Sequence, residues 1–426
     1  MIGLTGAFGS GCSTAAKYLA EFDEPYEVVK ISDLLRATWA ARGTGREPSR
    51  KDLQLLGDEL RAPDNYHVLV EEALLKALRR EPRPQRIAID AIRNLGELRW
   101  LQRSLGENFA LVAVYADKAL RFERYRSIYD SIQQFEEDDQ RDQGEEEAWG
   151  QQVGRCVDNA DVLVLNDAQL DEFERDEILK PRLERFVSII EGRNIEYAST
   201  DEVLMNLAFA ASHGSKCLKR QVGAVIARGA EPLATGYNEN PDGLLPCVEQ
   251  FQGTCFRDRI RHDHFKSLAE EGRRCPYCGE PLARVPAPPW LCENCGQSLD
   301  RAFFPDRAMA WCTALHAEER AIINSRGTDL GGAVIYSTTA PCTLCAEKII
   351  HAGIAEVVFV DAYPDKNGLL LFDKAGVATR LFEGVRSRNF HRYFLGVQEA
   401  KEREAVTRIQ RKAEAINVLR PSESES

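Results

Sequence analysis

One histidine and two cysteines constrain the fold of this chain more tightly than any other feature. LHAEERAI places His316 and Glu318 two positions apart, and APCTLC brings Pro341, Cys342 and Cys345, with Cys342 26 positions after His316. Imidazole and thiolate are metal ligands, and a Cys-x-x-Cys spacing lets one turn offer two thiolates to a single ion. Two distant segments must therefore meet. A structural zinc is closed by four protein ligands, whereas three leave a position open for water, whose pKa zinc lowers to about 7. Glu318 is not a ligand in this pattern and is placed to take and return the proton of that water. Pro341 suits the first turn of a helix, where thiolates form at lower cost. The alternative is a purely structural ion on His316, Cys342 and Cys345, and it lacks a fourth ligand.

The chain has 426 residues and twelve cysteines. That length exceeds the size at which one core stops growing, so two domains are expected. The N-terminus, MIGLTGAFGSGCST, has no basic start or apolar stretch of a secretory signal, and no apolar run approaches the roughly 18 residues that span a bilayer. The expectation is a cytoplasmic protein with no membrane partner and reduced thiols, which directs the cysteines towards metal or catalysis. A formal net charge of -12 works against unaided binding to long nucleic acid and leaves small nucleotides as candidates.

Short apolar runs alternate with helical patterns over the first 190 or so residues: Met1–Thr5, Arg86–Asp90, Ala110–Tyr115 and Asp161–Leu165 read as strands, and a helix starts near Ser13. Such alternation predicts a parallel α/β sheet. The acidic run EEDDQRDQGEEE, from Glu136 to Glu147, reads as a solvated loop or helix face. A boundary falls near Gly192–Ser199, before an amphipathic helix over Asp201–Ala211. Val222–Ala227, Leu233–Tyr237, Ala333–Ser337 and Glu356–Val360 follow as strands, with helices starting near His316 and Cys342. The predicted domains are 1–192, 199–398 with an insertion at 240–310, and a charged helix with a disordered tail over 399–426.

Within the insertion, Cys275-Pro-Tyr-Cys278 and Cys292-Glu-Asn-Cys295 each precede a glycine, Gly279 or Gly296. Two such knuckles make a zinc ribbon, 275–295, whose four thiolates close the shell of a structural zinc. Cys217, Cys247, Cys255 and Cys312, with His262 and His264, offer either another zinc site or buried apolar thiols.

GAFGSGCST follows the first strand and opens the first helix, the context of a phosphate-binding loop. Gly6, Gly9, Ser10, Gly11, Cys12, Ser13 and Thr14 are the candidate nucleotide-binding residues, for ATP or a dNTP with Mg²⁺. Amides from Gly9 to Ser13 cradle phosphates, and Ser13 stands where the Mg²⁺-binding hydroxyl belongs. Cys12 replaces the usual lysine, which weakens the case for phosphoryl transfer more than that for binding. An inert glycine turn is the alternative. Asp90, Arg93 and Asn94 of IAIDAIRN and Arg121, Arg124 and Arg126 of RFERYRS resemble parts of nucleoside-monophosphate-kinase-like proteins. The three arginines serve either as a phosphate lid or as a solvated face with local charge pairing.

The H-x-E…P-C-x-x-C pattern is the known signature of zinc deaminases that act on nucleobases. Together with SKCLKRQVGAVIARGAEPLATGYNENPDG, PCTLCAEKIIHAGI and VVFVDAYPDKNGLLLFDKAGV, it makes most of residues 200–385 resemble the deoxycytidylate deaminase branch of the cytidine deaminase superfamily. The resemblance implies a three-layer α/β/α domain, Glu318 as proton shuttle, Asn238 of the GYN motif on the substrate sugar, and Tyr363 close to the pocket. A turn asparagine and a core aromatic are the plainer readings of Asn238 and Tyr363. Some members hold a second zinc near the matching segments, but here no histidine shortly precedes HAE.

A degenerate kinase-like P-loop domain fused to such a deaminase resembles bacterial anti-phage dCTP deaminases. That implies conversion of dCTP, with dCMP as a further substrate, to uracil nucleotides. It also implies a homo-oligomer held silent by an inhibitory RNA or switched by a phage-derived activator. The competing readings are a housekeeping dCMP deaminase for thymidylate supply, an editing deaminase on RNA or single-stranded DNA, and a nucleotide sensor using the fold as a scaffold. Editing needs a basic, aromatic groove that the sequence does not offer, and a scaffold has no use for Glu318.

Overall fold

The computed structural model describes residues 1–394 except 44, 62–64, 130, 144–149, 168–171, 194–195, 283–289, 304–311 and 361–365. Tyr363 and the charged helix expected after 399 lie outside the described residues. The chain divides into two compact units, Met1–Val203 with Phe382–Ser426, and Leu204–Leu381. No helix among the described residues is long and apolar enough to cross a membrane.

The first unit is built on β1 (Ile2–Thr5), β2 (Glu27–Lys30), β3 (Ile87–Asp90), β4 (Ala110–Tyr115) and β5 (Val162–Leu165), which pair in parallel in the order β2, β3, β1, β4, β5. β1 and β3 are buried throughout, as continuous apolar strands of a parallel sheet covered on both faces must be. Ala15, Ala16 and Leu19 of the helix Cys12–Glu21 join Leu4, Val112 and Val164 in the core. β2 and β3 lie on one side of β1 and β4 and β5 on the other, so the loop after β1 sits where the strand order reverses, which is where an open α/β sheet leaves a crevice for ligands.

The acidic run differs from its expected solvated state. Its described part belongs to the helix Ile132–Gln143, and Asp139 and Asp142 are 1% and 0% exposed. Arg121 pairs with Asp139, while Arg93 and Arg50 pair with Asp142. Those cations come from far along the chain, and they compensate the desolvation that would otherwise expel both carboxylates.

The second unit is a mixed sheet of β6 (Gly223–Arg228), β7 (Glu231–Tyr237), β8 (Val334–Ser337), β9 (Glu356–Phe359) and β10 (Ala378–Leu381), ordered β10, β9, β8, β6, β7. β6 runs antiparallel to β7 and β8, whereas β8, β9 and β10 are parallel. Helices cover both faces. A Cβ on Gly236 would lie 2.3 Å from Ala317 O, so the helix Ala317–Asn324 rests directly on β7. A Cβ on Gly223 would lie 1.9 Å from Ala208 O of the helix Thr200–Ser212. Since Gly236 faces Ala224 in register, the two glycines point to opposite faces of the sheet.

Within the second unit, the insertion has its own core, in which Phe265, Leu268, Trp290 and Leu299 pack around Cys275 and Cys292. Beyond β10 the chain rejoins the first sheet. β11 (Gly384–Val385) pairs antiparallel with β5, and Val385 N donates to Glu202 Oε1 at 3.0 Å. Phe382–Ser426 thus groups with the first unit, whereas the sequence reading ran the second domain on to 398.

Candidate active site

Two helix starts bring the three metal donors together. His316 is the N-cap of the helix Ala317–Asn324, and Cys342 is the N-cap of Thr343–His351, which follows β8. His316 Nδ1 lies 3.2 Å from Cys345 Sγ and 3.4 Å from Cys342 Sγ. One ion with nitrogen and sulfur ligands at about 2.0 and 2.3 Å spaces them about 3.5 Å apart in a tetrahedron, so the donor set fits zinc. The Cys342 thiol is pushed down to about 4, chiefly by hydrogen bonding from Cys345 and then by desolvation-opposed contact with His316, while the thiol of Cys345 is raised.

Glu318 sits beside this cluster and outside it. Its side chain is 2% exposed, with Oε2 3.6 Å from Cys345 Sγ and Oε1 3.2 Å from Ser337 Oγ. Burial raises its pKa above the usual carboxylate range, which favours a group that holds a proton between transfers. Ser337, the last residue of β8, is fully buried. No motif marks it; a lone hydroxyl ending an apolar strand was its only signal.

Glu319 was also passed over. Its Oε2 accepts from the His316 amide at 2.8 Å, and its Oε1 meets Lys348 Nζ at 2.6 Å. It caps one ligand-bearing helix and pairs with the other. The spacing is that of a capping box and was readable as one.

Asn238 is anchored to the backbone that leads into β6. Its Oδ1 accepts from Val222 N at 2.7 Å and its Nδ2 donates to Arg220 O at 2.9 Å, so both ends of the amide are engaged. The neighbouring Gly223 N donates to Thr338 Oγ1 at 3.1 Å, next to Ser337. Asn238 thereby pins the backbone at Arg220 and Val222, next to the Gly223 amide that bonds Thr338.

Cys275, Cys278, Cys292 and Cys295 form a second cluster. Cys275 and Cys295 sulfurs are 3.8 Å apart, and those of Cys278 and Cys292 are 3.7 Å apart. A tetrahedron with zinc–sulfur bonds of about 2.3 Å has edges of about 3.8 Å, so these thiols also fit zinc. Each knuckle closes in the same way: Gly279 N bonds Cys275 O and Gly296 N bonds Cys292 O, both glycines having positive φ. Among the described residues, neither metal cluster includes Cys217, Cys247, Cys255, Cys312, His262 or His264.

In the first unit, residues 6–9 and 11–14 line a cavity of about 510 Å³ with Asp90, Arg93, Arg124 and Asn166, while Ser10 is buried. Gly9 and Gly11 have φ of 80° and 109°, and a Cβ on Gly11 would strike Asn166 Nδ2 at 2.2 Å. Ser13 Oγ donates to Asp90 Oδ2 at 2.9 Å. The Cys12 thiol is buried against Ser10 and pushed up to about 12 by desolvation, so it supplies no charge. The RFERYR arginines do not act alike. Arg121 holds Phe8 O and Asp139, Arg124 holds Gly9 O and Asn166 O, and exposed Arg126 pairs locally with Glu123. Two of them brace the loop, and Arg124 also lines its cavity.

The family model for the cytidine and deoxycytidylate deaminase zinc-binding region matches residues 198–361. A deoxycytidylate deaminase of Homo sapiens is 30% identical over 193 residues, covering 44% of this chain and 82% of that protein. This chain belongs to the deoxycytidylate deaminase family. A deoxycytidylate deaminase of Schizosaccharomyces pombe is 28% identical over 230 residues, which cover 52% of this chain and 54% of the yeast protein. The chain thus spans about half the length of that relative. A UPF0200 protein of Methanosarcina barkeri is 27% identical over 178 residues, or 41% of this chain and 91% of the archaeal one. The deaminase family is zinc-binding, and both cysteine-containing clusters suit that ion.

Proposed function

We propose that the chain is a zinc-dependent hydrolytic deaminase of deoxycytidine nucleotides. The observation that carries this reading is a buried carboxylate, Glu318, set against a three-donor metal cluster of which it is not a member. Zinc held by His316, Cys342 and Cys345 would supply the Lewis acidity that makes water a nucleophile near neutral pH. Water adds at C4 of cytosine and Glu318 takes its proton. The carboxyl group delivers that proton to N3, then moves the second to the departing amino group. The C4–N bond breaks, C4 becomes a carbonyl, and ammonia leaves. Ser337 keeps the carboxylate of Glu318 aimed throughout, and Asn238 keeps the adjoining backbone in place for the sugar. Tyr363 borders the pocket in this proposal.

The proposed substrate is dCTP, with dCMP accepted, and the proposed role is depletion of dCTP in anti-phage defence. What supports it is the pairing, in one chain, of a deaminase-family unit with a parallel-sheet unit whose first loop lines a cavity beside Asp90 and Arg93; ATP or a dNTP with Mg²⁺ is the ligand proposed for that loop. A homo-oligomer silenced by an inhibitory RNA, or switched by a phage-derived activator, belongs to the same proposal. The second reading is a dCMP deaminase for thymidylate supply, favoured by the deoxycytidylate deaminases among the relatives. Ammonia release from dCMP, dCTP, CMP, CTP and single-stranded DNA by zinc-loaded protein, with and without ATP, separates them. Turnover of dCTP supports depletion; turnover of dCMP alone sinks it.

A further inference from the structure

Asp142 ends a helix at the phosphate-binding loop, and its carboxylate is fully buried there. Its Oδ2 accepts from the Phe8 amide at 3.2 Å, and its Oδ1 accepts from Arg93 Nη1 at 2.5 Å with Arg50 Nη2 3.3 Å away. A loop amide flanked by two guanidiniums is a donor set suited to a phosphate oxyanion. Here an internal carboxylate takes that place.

The rest of the helix reinforces the contact. Asp139, one turn earlier, makes two bonds to Arg121, at 2.6 and 3.1 Å, and the same guanidinium donates to Phe8 O at 3.1 Å. Phe8 is therefore tied to the acidic helix on both sides, directly through its amide and by way of Arg121 through its carbonyl. The Arg50 guanidinium lies 3.6 Å over the Phe8 ring.

Two cavities meet at this point. That of about 510 Å³ holds the loop, and a second of about 180 Å³ is lined by Arg50, Arg61 and Gln151; Ser13, Asp90, Ala91 and Arg93 border both. Phe8 lies one residue before the Gly9–Ser13 amides that lead into the helix, so a polyphosphate chain laid along the loop would bring its outer end to the Phe8 amide. A terminal phosphate carries more charge and one more acceptor oxygen than a carboxylate. It competes for the same donors on favourable terms.

We propose that the Phe8 amide, Arg93 and Arg50 form a site for the outermost phosphate of a nucleoside triphosphate, which the protein fills with its own Asp142 until nucleotide displaces it. Displacement removes one of the two ties between the loop and the helix Ile132–Gln143, so occupancy of the first unit is converted into loosening of an acidic segment. The proposal rests on the reading of residues 6–14 as a nucleotide-binding loop.

The test uses the full chain, with Mg·ATP and inorganic tripolyphosphate as probes. Removing an internal competitor raises the binding-competent fraction, so Asp142→Asn is expected to bind both probes about tenfold more tightly than wild type. Hydrogen exchange read on wild type, which needs no variant to fold, is expected to speed up across 132–143 when Mg·ATP saturates the protein. Equal or weaker binding by a folded Asp142→Asn chain overturns the proposal while leaving the loop a nucleotide site, as does unchanged exchange in ATP-bound wild type. Absence of binding to either form overturns both.

Discussion

Lys348 Nζ lies 2.6 Å from one oxygen of Glu319, whose other oxygen accepts from the His316 amide at 2.8 Å. The pair links the two helices that deliver the metal donors. Lys348 is half-exposed, so its removal costs little folding stability, under about 1 kcal/mol. Lys348→Met is expected to leave the melting temperature nearly unchanged and to speed zinc loss to a chelator several-fold. Wild-type release kinetics would show that Glu319 acts only as a helix cap.

Glu318→Gln keeps the size of the side chain and removes the proposed proton shuttle. General acid–base catalysis contributes about 10²- to 10⁴-fold, so turnover should fall by that order while zinc content stays at the wild-type level. Activity within threefold of wild type would remove Glu318 from the mechanism. Ser337→Ala acts through Glu318 and should lower kcat by about tenfold, the scale of one hydrogen bond to a charged group, with KM little changed.

The two metal clusters should fail independently. Cys342→Ser empties the His316 site and abolishes turnover, while Cys292→Ser releases the other ion and exposes the Trp290 and Phe265 core of the insertion. Atomic emission should count one zinc fewer per chain in each variant. Loss of both ions from either single substitution would contradict the independence of the clusters.

Asp90 gives a pH-dependent signature. Burial raises its pKa, against the hydrogen bond from Ser13, so the folded state favours the protonated acid. Its contribution to stability is fully present below the unfolded value of about 3.9 and is lost as pH rises through the raised folded value. Asp90→Asn should therefore be more stable than wild type at pH 7, with the difference vanishing near pH 3. A urea midpoint difference that grows towards acid would refute this sign.

Gly236 is where the helix Ala317–Asn324 touches the sheet. A Cβ there meets Ala317 O at 2.3 Å and Ala321 N at 2.4 Å, and both are helix backbone. Gly236→Ala should cost about 1–3 kcal/mol of stability through overpacking and reduce turnover by shifting His316 and Glu318. A crystal structure of the variant with that helix in place would rule out the displacement.

The metal clusters were legible in sequence because coordination chemistry dictates both residue type and spacing. His316, Cys342 and Cys345 meet, as do the two knuckles around Gly279 and Gly296. The buried strands of the first sheet were readable too, since two-sided burial leaves nearly unbroken apolar runs. Other features depend on partners remote in sequence. Asp142 looks solvated until Arg93, 49 positions away, is brought to it. The edge strand β2 has only two apolar residues, Val28 and Val29, and β11 only two residues in all, so neither shows an apolar run. Ser337 and the bracing roles of Arg121 and Arg124 likewise rest on tertiary contacts with no local pattern.

β11 carries a consequence for the order of synthesis. The second unit is one unbroken stretch, Leu204–Leu381, whereas the first sheet receives its edge strand only when Gly384–Val385 has been made. On the ribosome, where domains form as their residues emerge, the unit begun first is the last to be completed. A chain arrested before residue 384 would hold every donor of both metal clusters and still leave the β5 edge open.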